Sequence, residues 1–208
     1  MIKNLLDSCV FSVLSNDIIK DCNSFDCGND DLNDFFHNDA PLYNKQLLGK
    51  TYCFRNEPDN KTIVCAFTVS NDSIRISNLP KCKGRKIKAS YPRSKQISRY
   101  PAVLIGRLGV SIDYQHKSPN NRRLHIGTLL MDFIKAWFIE SGNKTGCRYL
   151  IVDAYNEEGV LAYYKKNGFD YLFPTPEEEA VSTTKPVENL KTRLMFFDLI
   201  TLSAERAK

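Results

Sequence analysis

At 208 residues with 42% apolar side chains, the chain can fill the core of one domain, and nothing in its composition marks it as fibrous or disordered. A net charge of +5 and a pI near 8.8 permit a polyanionic partner without requiring one. The seven cysteines, at positions 9, 22, 27, 53, 65, 82 and 147, are odd in number, form no Cys-x-x-Cys pair and fall partly in apolar runs, which favours reduced, buried thiols in the cytoplasm over a disulfide framework or a zinc site.

The N-terminus has no signal-like apolar region, and no apolar run reaches the length of a membrane span. Residues 9–15 read as a first strand. Asn29 is placed to cap a helix, with Asp30 and Asp31 in a first turn where negative charge suits the dipole. Leu32, Phe35 and Phe36 give that helix a short apolar face, and a second helix is predicted over 40–48. Residues 51–55 and 62–70 read as strands joined by Asn-Glu-Pro-Asp-Asn, a hairpin-type link, and 74–77 as a further small strand.

From Lys81 to Arg99 the chain carries eight basic residues and no acid, with little periodicity. The plain reading is a solvated surface loop. The functional reading is a contact with a nucleic-acid backbone, with Tyr91 and Tyr100 able to stack on bases. An apolar strand follows at 101–112, then a loop rich in Ser, Pro and Asn.

The stretch 121–140 organises the rest. Ile126, Leu129, Leu130, Phe133, Ile134, Trp137 and Phe138 recur at helical spacing, and Arg122, Arg123 and Gly127 stand at the helix entrance. Strand, basic glycine-containing turn and helix together present backbone N–H groups and a positive dipole end to an anion. The plain alternative is a basic turn ahead of a core helix.

Residues 148–154 form a continuous apolar run that fits a strand covered on both faces. A helix is predicted over 156–167, ended by Gly168. A short strand over 169–173, a loop or acidic turn over 174–185 and a last strand over 191–202 complete the chain. With neither repeat nor linker, 1–208 reads as one α/β or α+β domain, a single sheet with helices on both sides.

Three pieces resemble the GNAT acetyltransferase superfamily over roughly 11–199. One is Ile105-Gly-Arg-Leu-Gly-Val110 leading to Arg122-x-x-His125-x-Gly127, which looks like the family's fourth strand and its coenzyme A loop. Another is Asn156 followed by Tyr163-Tyr-Lys-Lys-Asn-Gly-Phe169, similar to the family's Asn…Tyr-x-x-x-Gly-Phe. The third, Phe25-Asp-Cys-Gly-Asn-x-x-Leu-Asn-x-Phe35 with Lys50-Thr-Tyr52, is similar to the subgroup of TacT-like toxins that acetylate aminoacyl-tRNA.

The resemblance implies a mixed, mostly antiparallel twisted sheet with a splayed central strand pair. It also implies direct transfer of an acetyl group from acetyl-CoA to a primary amine. Leu108, Gly109 and Val110 would polarise the thioester carbonyl, with Gly109 easing a bulge. Arg122, Arg123, His125 and the N–H groups of Ile126, Gly127 and Thr128 would hold the pyrophosphate. Tyr164 would protonate the leaving thiolate, with Tyr163 its competitor and a half-buried helix aromatic the plain reading. Asn156 would bind the pantetheine arm or a water, or simply cap the next helix.

His125 departs from the family's glycine; with a negative φ it could still serve, its ring adding a donor. Asp153 reads as structural and no general base is named. The histidines at 37, 116 and 125 have no metal-ligand spacing, so no metal is expected. The acceptor is a small-molecule or aminoacyl amine, the latter with tRNA held through 81–99. An antitoxin and a homodimer stand as further partners and a membrane does not. A non-catalytic coenzyme A-binding scaffold is the competing class.

Overall fold

The computed structural model describes residues 4–75, 79, 81, 84, 98–116, 118–119, 124–184 and 186–202. Seven strands form one sheet in the order β1-β2-β3-β4-β5-β7-β6: β1 Cys9–Val13, β2 Lys50–Asn56, β3 Ile63–Arg75, β4 Arg99–Val110, β5 Tyr149–Tyr155, β6 Asp170–Tyr171 and β7 Thr192–Asp198. The sheet is mostly antiparallel with one parallel pair, as the resemblance implied. By contact density the residues divide into two compact units, 1–70 with 105–137, and 71–104 with 138–208.

In the first unit the strands are covered on both faces. Alternation along β1 and β2 sends Phe11, Tyr52 and Phe54 to one face and Cys53 to the other. The first face receives α4 (Ile126–Phe138), whose Phe133 and Trp137 meet Phe11 at centroid distances of 4.8 and 5.4 Å, while Trp137 also reaches Tyr52 and Phe67. The deeper stripe of α4 is Ile126, Leu130, Met131 and Ile134. Met131 was not among the residues predicted for that face.

The opposite face carries α1 (Asn16–Asp21), α2 (Asp30–Asp34), a π-helical turn at Phe35–Asp39 and α3 (Ala40–Lys45). Phe25, Phe35, Phe36 and Ala40 pack there with Cys53 and Ala66. Asn29 caps α2 as predicted, accepting the Leu32 N–H at 3.0 Å. The π turn has a local cause. Pro41 has no N–H to return to the preceding turn, and the Ala40 N–H bonds five residues back to Phe35. The facing hydroxyls of Thr51 and Thr68, 2.8 Å apart, satisfy each other inside the sheet.

In the second unit β5 pairs with β7 along its whole length, and Arg148 grips Asp198 through two charged hydrogen bonds of 2.5 and 2.8 Å. Ile74, Tyr100, Ala102, Tyr149, Ile151, Leu172 and Phe173 make one apolar cluster.

Several boundaries correct the sequence reading. Ile74 belongs to β3, which runs unbroken to Arg75, so 74–75 is no separate strand. β4 ends at Val110; the Ser111 N–H still meets Val64 of β3, and the Ile112 N–H turns out of the sheet to Asp26. The stretch 174–185 is not a loop: Pro176–Thr183 is a helix, α6, with a reciprocal cap between Thr175 and Glu178 and Pro176 in the first turn. Glu179 from that helix is 3% exposed and bonds Arg193 and the Leu194 N–H, both at 2.6 Å. The basic segment 81–99 falls almost wholly outside the described residues.

Candidate functional site

The predicted site residues fall in both units. In the first, Leu108, Gly109 and Val110 are the last residues of β4. Gly109 is required by close approach: a Cβ there would stand 3.1 Å from the Phe36 ring and 3.2 Å from the Cys27 Cβ. That tight packing by itself leaves room for no side chain larger than hydrogen. The Val110 carbonyl accepts the Gln115 side-chain N–H at 2.9 Å, and the same amide group donates to the Cys27 carbonyl at 2.8 Å.

At the entrance to α4, Arg122 and Arg123 lie outside the described residues. His125 is exposed with φ +51, the positive-φ conformation a glycine adopts freely, so the condition of a negative φ is not met. The chain keeps a glycine-like path there at a cost of order 1 kcal/mol. The His125 carbonyl accepts the N–H groups of Thr128 and Leu129, at 2.9 and 3.2 Å. Thr128 therefore spends its N–H inside the turn, while the Ile126 N–H meets no acceptor among the described residues. The His125 ring stands 6.0 Å from that of His116, at 73°.

In the second unit Asn156 follows β5 directly. Its side-chain N–H donates to the Leu190 carbonyl at 3.0 Å and its backbone N–H to Lys191 at 2.8 Å. It does not cap the next helix; Glu157 holds the cap position of α5 (Glu158–Lys166). Asp153 is exposed.

Tyr164 lies one turn from the end of α5 and is only 8% exposed, more deeply buried than a helix-surface aromatic. Its ring packs edge-on against Tyr163 and Phe169, at 5.1 and 5.5 Å. Its carbonyl accepts the Phe169 N–H, and Gly168 makes the reversal with φ +79. Burial pushes the phenol up to about 12, so it stays protonated across the working range of an enzyme. The more open Tyr163 is half-buried.

Sequence reasoning passed over Arg107. It lies between Gly106 and Leu108 on β4, its guanidinium 5.1 Å from the centre of the Phe35 ring and one N–H on the Gly106 carbonyl at 2.9 Å. The signal was a lone arginine between two glycines in an otherwise apolar strand. A cavity of about 190 Å³ in the same unit, walled by Leu14, Ile19, Cys22, Phe36 and His37 among others, holds none of the predicted residues.

The strand order, with helices on both faces of the first unit's strands, is that of a GNAT-type fold. Among solved structures, the chain is similar to a tyrosine-to-phenylalanine variant of KacT, at 18% identity and TM-score 0.64, covering 95% of this chain and 99% of that one. It is similar also to AtaT complexed with acetyl-methionyl-tRNAfMet, at 20% identity and TM-score 0.63 with 95% and 98% covered. A third is a tyrosine-to-phenylalanine AtaT toxin bound to the C-terminus of the antitoxin AtaR and acetyl-CoA, at 16%, 0.58, 97% and 100%. No family model and no curated protein matches the chain.

Proposed function

We propose that the chain transfers an acetyl group from acetyl-CoA directly to a primary amine, and that the amine is the α-amino group of an aminoacyl-tRNA. The observation that carries this is the likeness, over nearly the full length of both chains, to a structure holding acetyl-methionyl-tRNA and to another holding acetyl-CoA. That two of these structures carry a tyrosine changed to phenylalanine supports a working tyrosine, and Tyr164 is the residue here with the matching Tyr-x-x-x-Gly-Phe context.

In this reading the neutral amine attacks the thioester carbonyl, and backbone N–H groups of Leu108 to Val110 stabilise the oxyanion. The C–S bond then breaks, and the departing sulfur takes its proton from Tyr164 while the ammonium proton leaves to water. Ile126 and Gly127, with Arg122 and Arg123, supply the pyrophosphate contacts. Asn156, tied to Leu190 and Lys191, orients the end of β5 beside the pantetheine arm. No helix among the described residues is long and apolar enough to cross a membrane. An antitoxin is the natural protein partner of such an activity.

The test is incubation of the purified chain with isotopically labelled acetyl-CoA and, in parallel, charged tRNA, uncharged tRNA and a panel of small amines and peptides. Mass spectrometry should find the acetyl group on the aminoacyl moiety of charged tRNA alone. Label confined to a small amine would replace the acceptor. Thermal stabilisation by acetyl-CoA with no transfer to any amine would establish the non-catalytic scaffold instead.

A further inference from the structure

We infer that Arg107 is an anion anchor for the acceptor, and that it takes a phosphate oxygen of the nucleic-acid strand bearing the amine; this rests on the aminoacyl-tRNA reading above.

Four observations in the first unit lead there. The Arg107 Nε is buried and meets no hydrogen-bond acceptor. The guanidinium makes one bond, to the Gly106 carbonyl, and rests on the Phe35 ring, so no carboxylate among the described residues pairs with it. Of the residues outside that set only Glu205 is acidic, so the chain itself offers almost no candidate counter-ion. A half-buried cation with unused donors is costly unless a ligand completes it. A planar fork placed over an aromatic ring matches the two oxygens of a phosphodiester.

The face of β4 decides which phosphate. Arg107 and Gly109 are two residues apart and share one side of the strand. That side meets Phe35, Phe36 and Cys27, the α2 and π-turn layer. α4, whose entrance is the place for the coenzyme's pyrophosphate, packs on the opposite face through Phe11, Phe54 and Phe67. Arg107 is therefore on the wrong face for the cofactor's phosphates and free to serve the acceptor.

The experiment compares Arg107→Lys and Arg107→Gln with the unmodified chain in three assays: acetyl-CoA binding by calorimetry, KM for aminoacyl-tRNA, and the salt dependence of tRNA binding. Thermal unfolding of each variant is followed as a folding control. The expected result is unchanged acetyl-CoA affinity, a KM for aminoacyl-tRNA raised roughly tenfold or more in Arg107→Gln, and a salt slope lower by about one phosphate contact. Arg107→Lys should recover part of the affinity, because charge is retained and the fork is lost. Unchanged KM and slope in stable variants overturn the assignment, and so does a selective loss of acetyl-CoA affinity, which would give Arg107 to the cofactor. Failure of the unmodified chain to bind or acetylate tRNA overturns the acceptor reading itself, a result visible before any variant is made.

Discussion

Tyr164 combines two properties that a proton donor to a thiolate needs: a fixed ring and a phenol that burial keeps protonated. Tyr164→Phe should lower kcat by roughly tenfold to a thousandfold while leaving acetyl-CoA affinity nearly intact, since the interaction removed is made only as sulfur departs. Equal turnover in the two proteins would take Tyr164 out of the mechanism. The same property fixes the pH profile. With the phenol raised to about 12, kcat/KM should climb as the acceptor amine loses its proton and then stay level, with no descending limb from Tyr164 below about pH 11. A fall near pH 10 that disappears in Tyr164→Phe would contradict the burial argument.

Gly109 poses a separate residue-scale test. Gly109→Ala pushes a methyl to within 3.3 Å of Phe36 and both side-chain atoms of Cys27, and should cost about 1–3 kcal/mol in a denaturant titration. Cys27→Ala in the same chain should return part of it, by removing the sulfur at 3.3 Å while the Cβ contact stays. Additive losses would mean that Cys27 is not the obstruction. The Tyr-x-x-x-Gly-Phe context singles out Tyr164 in the sequence, and its depth of burial is what the fold adds. The reason for Gly109 was not legible there, because it depends on which residue the fold brings across from position 27. Arg107 was hidden the same way: a charge in a strand says nothing of whether a carboxylate will meet it.

At the scale of elements, periodicity was enough to find α4 and the alternation of the hairpin strands, since each buries a face whose spacing is written locally. α6 shows the opposite case. Its cap, Thr-Pro-Glu-Glu at 175–178, is present in the sequence, but three successive glutamates suggested a solvated turn. What holds the helix is not its own apolar face but one buried carboxylate. Glu179 neutralises Arg193 and satisfies the Leu194 N–H, while Arg193 also donates to the Phe173 carbonyl and lies 4.5 Å from the centre of the Tyr171 ring. Glu179→Ala strands a buried guanidinium and should cost about 3–5 kcal/mol by urea unfolding. A loss below about 1 kcal/mol would show that water reaches the pair.

For the molecule as a whole, burial raises several groups together. Cys53 and Cys147 are pushed up to about 11, Tyr164 to about 12, and Cys65 well above its ordinary value. Each releases its proton later in the folded chain than in the unfolded one, so the unfolded state holds fewer protons as pH rises and stability must fall. The loss begins near pH 9 as thiols of the unfolded chain ionise and continues to about pH 12. Chemical denaturation at pH 8 and pH 11 should differ by roughly 5 kcal/mol, comparable to the whole stability of a domain. A flat profile would mean that these thiols are wetter than their burial implies. A thiol that resists ionising also resists oxidation, so the same burial should slow oxidation of Cys53, Cys65 and Cys147.

Gln115 has one more consequence. By tying the carbonyls of Cys27 and Val110 to a single amide, it fastens the chain within five residues of the end of β4. A residue gained or lost between Val110 and Gln115 would carry the amide off one of its two carbonyls, so this short span should bear a change of side chain more easily than a change of length.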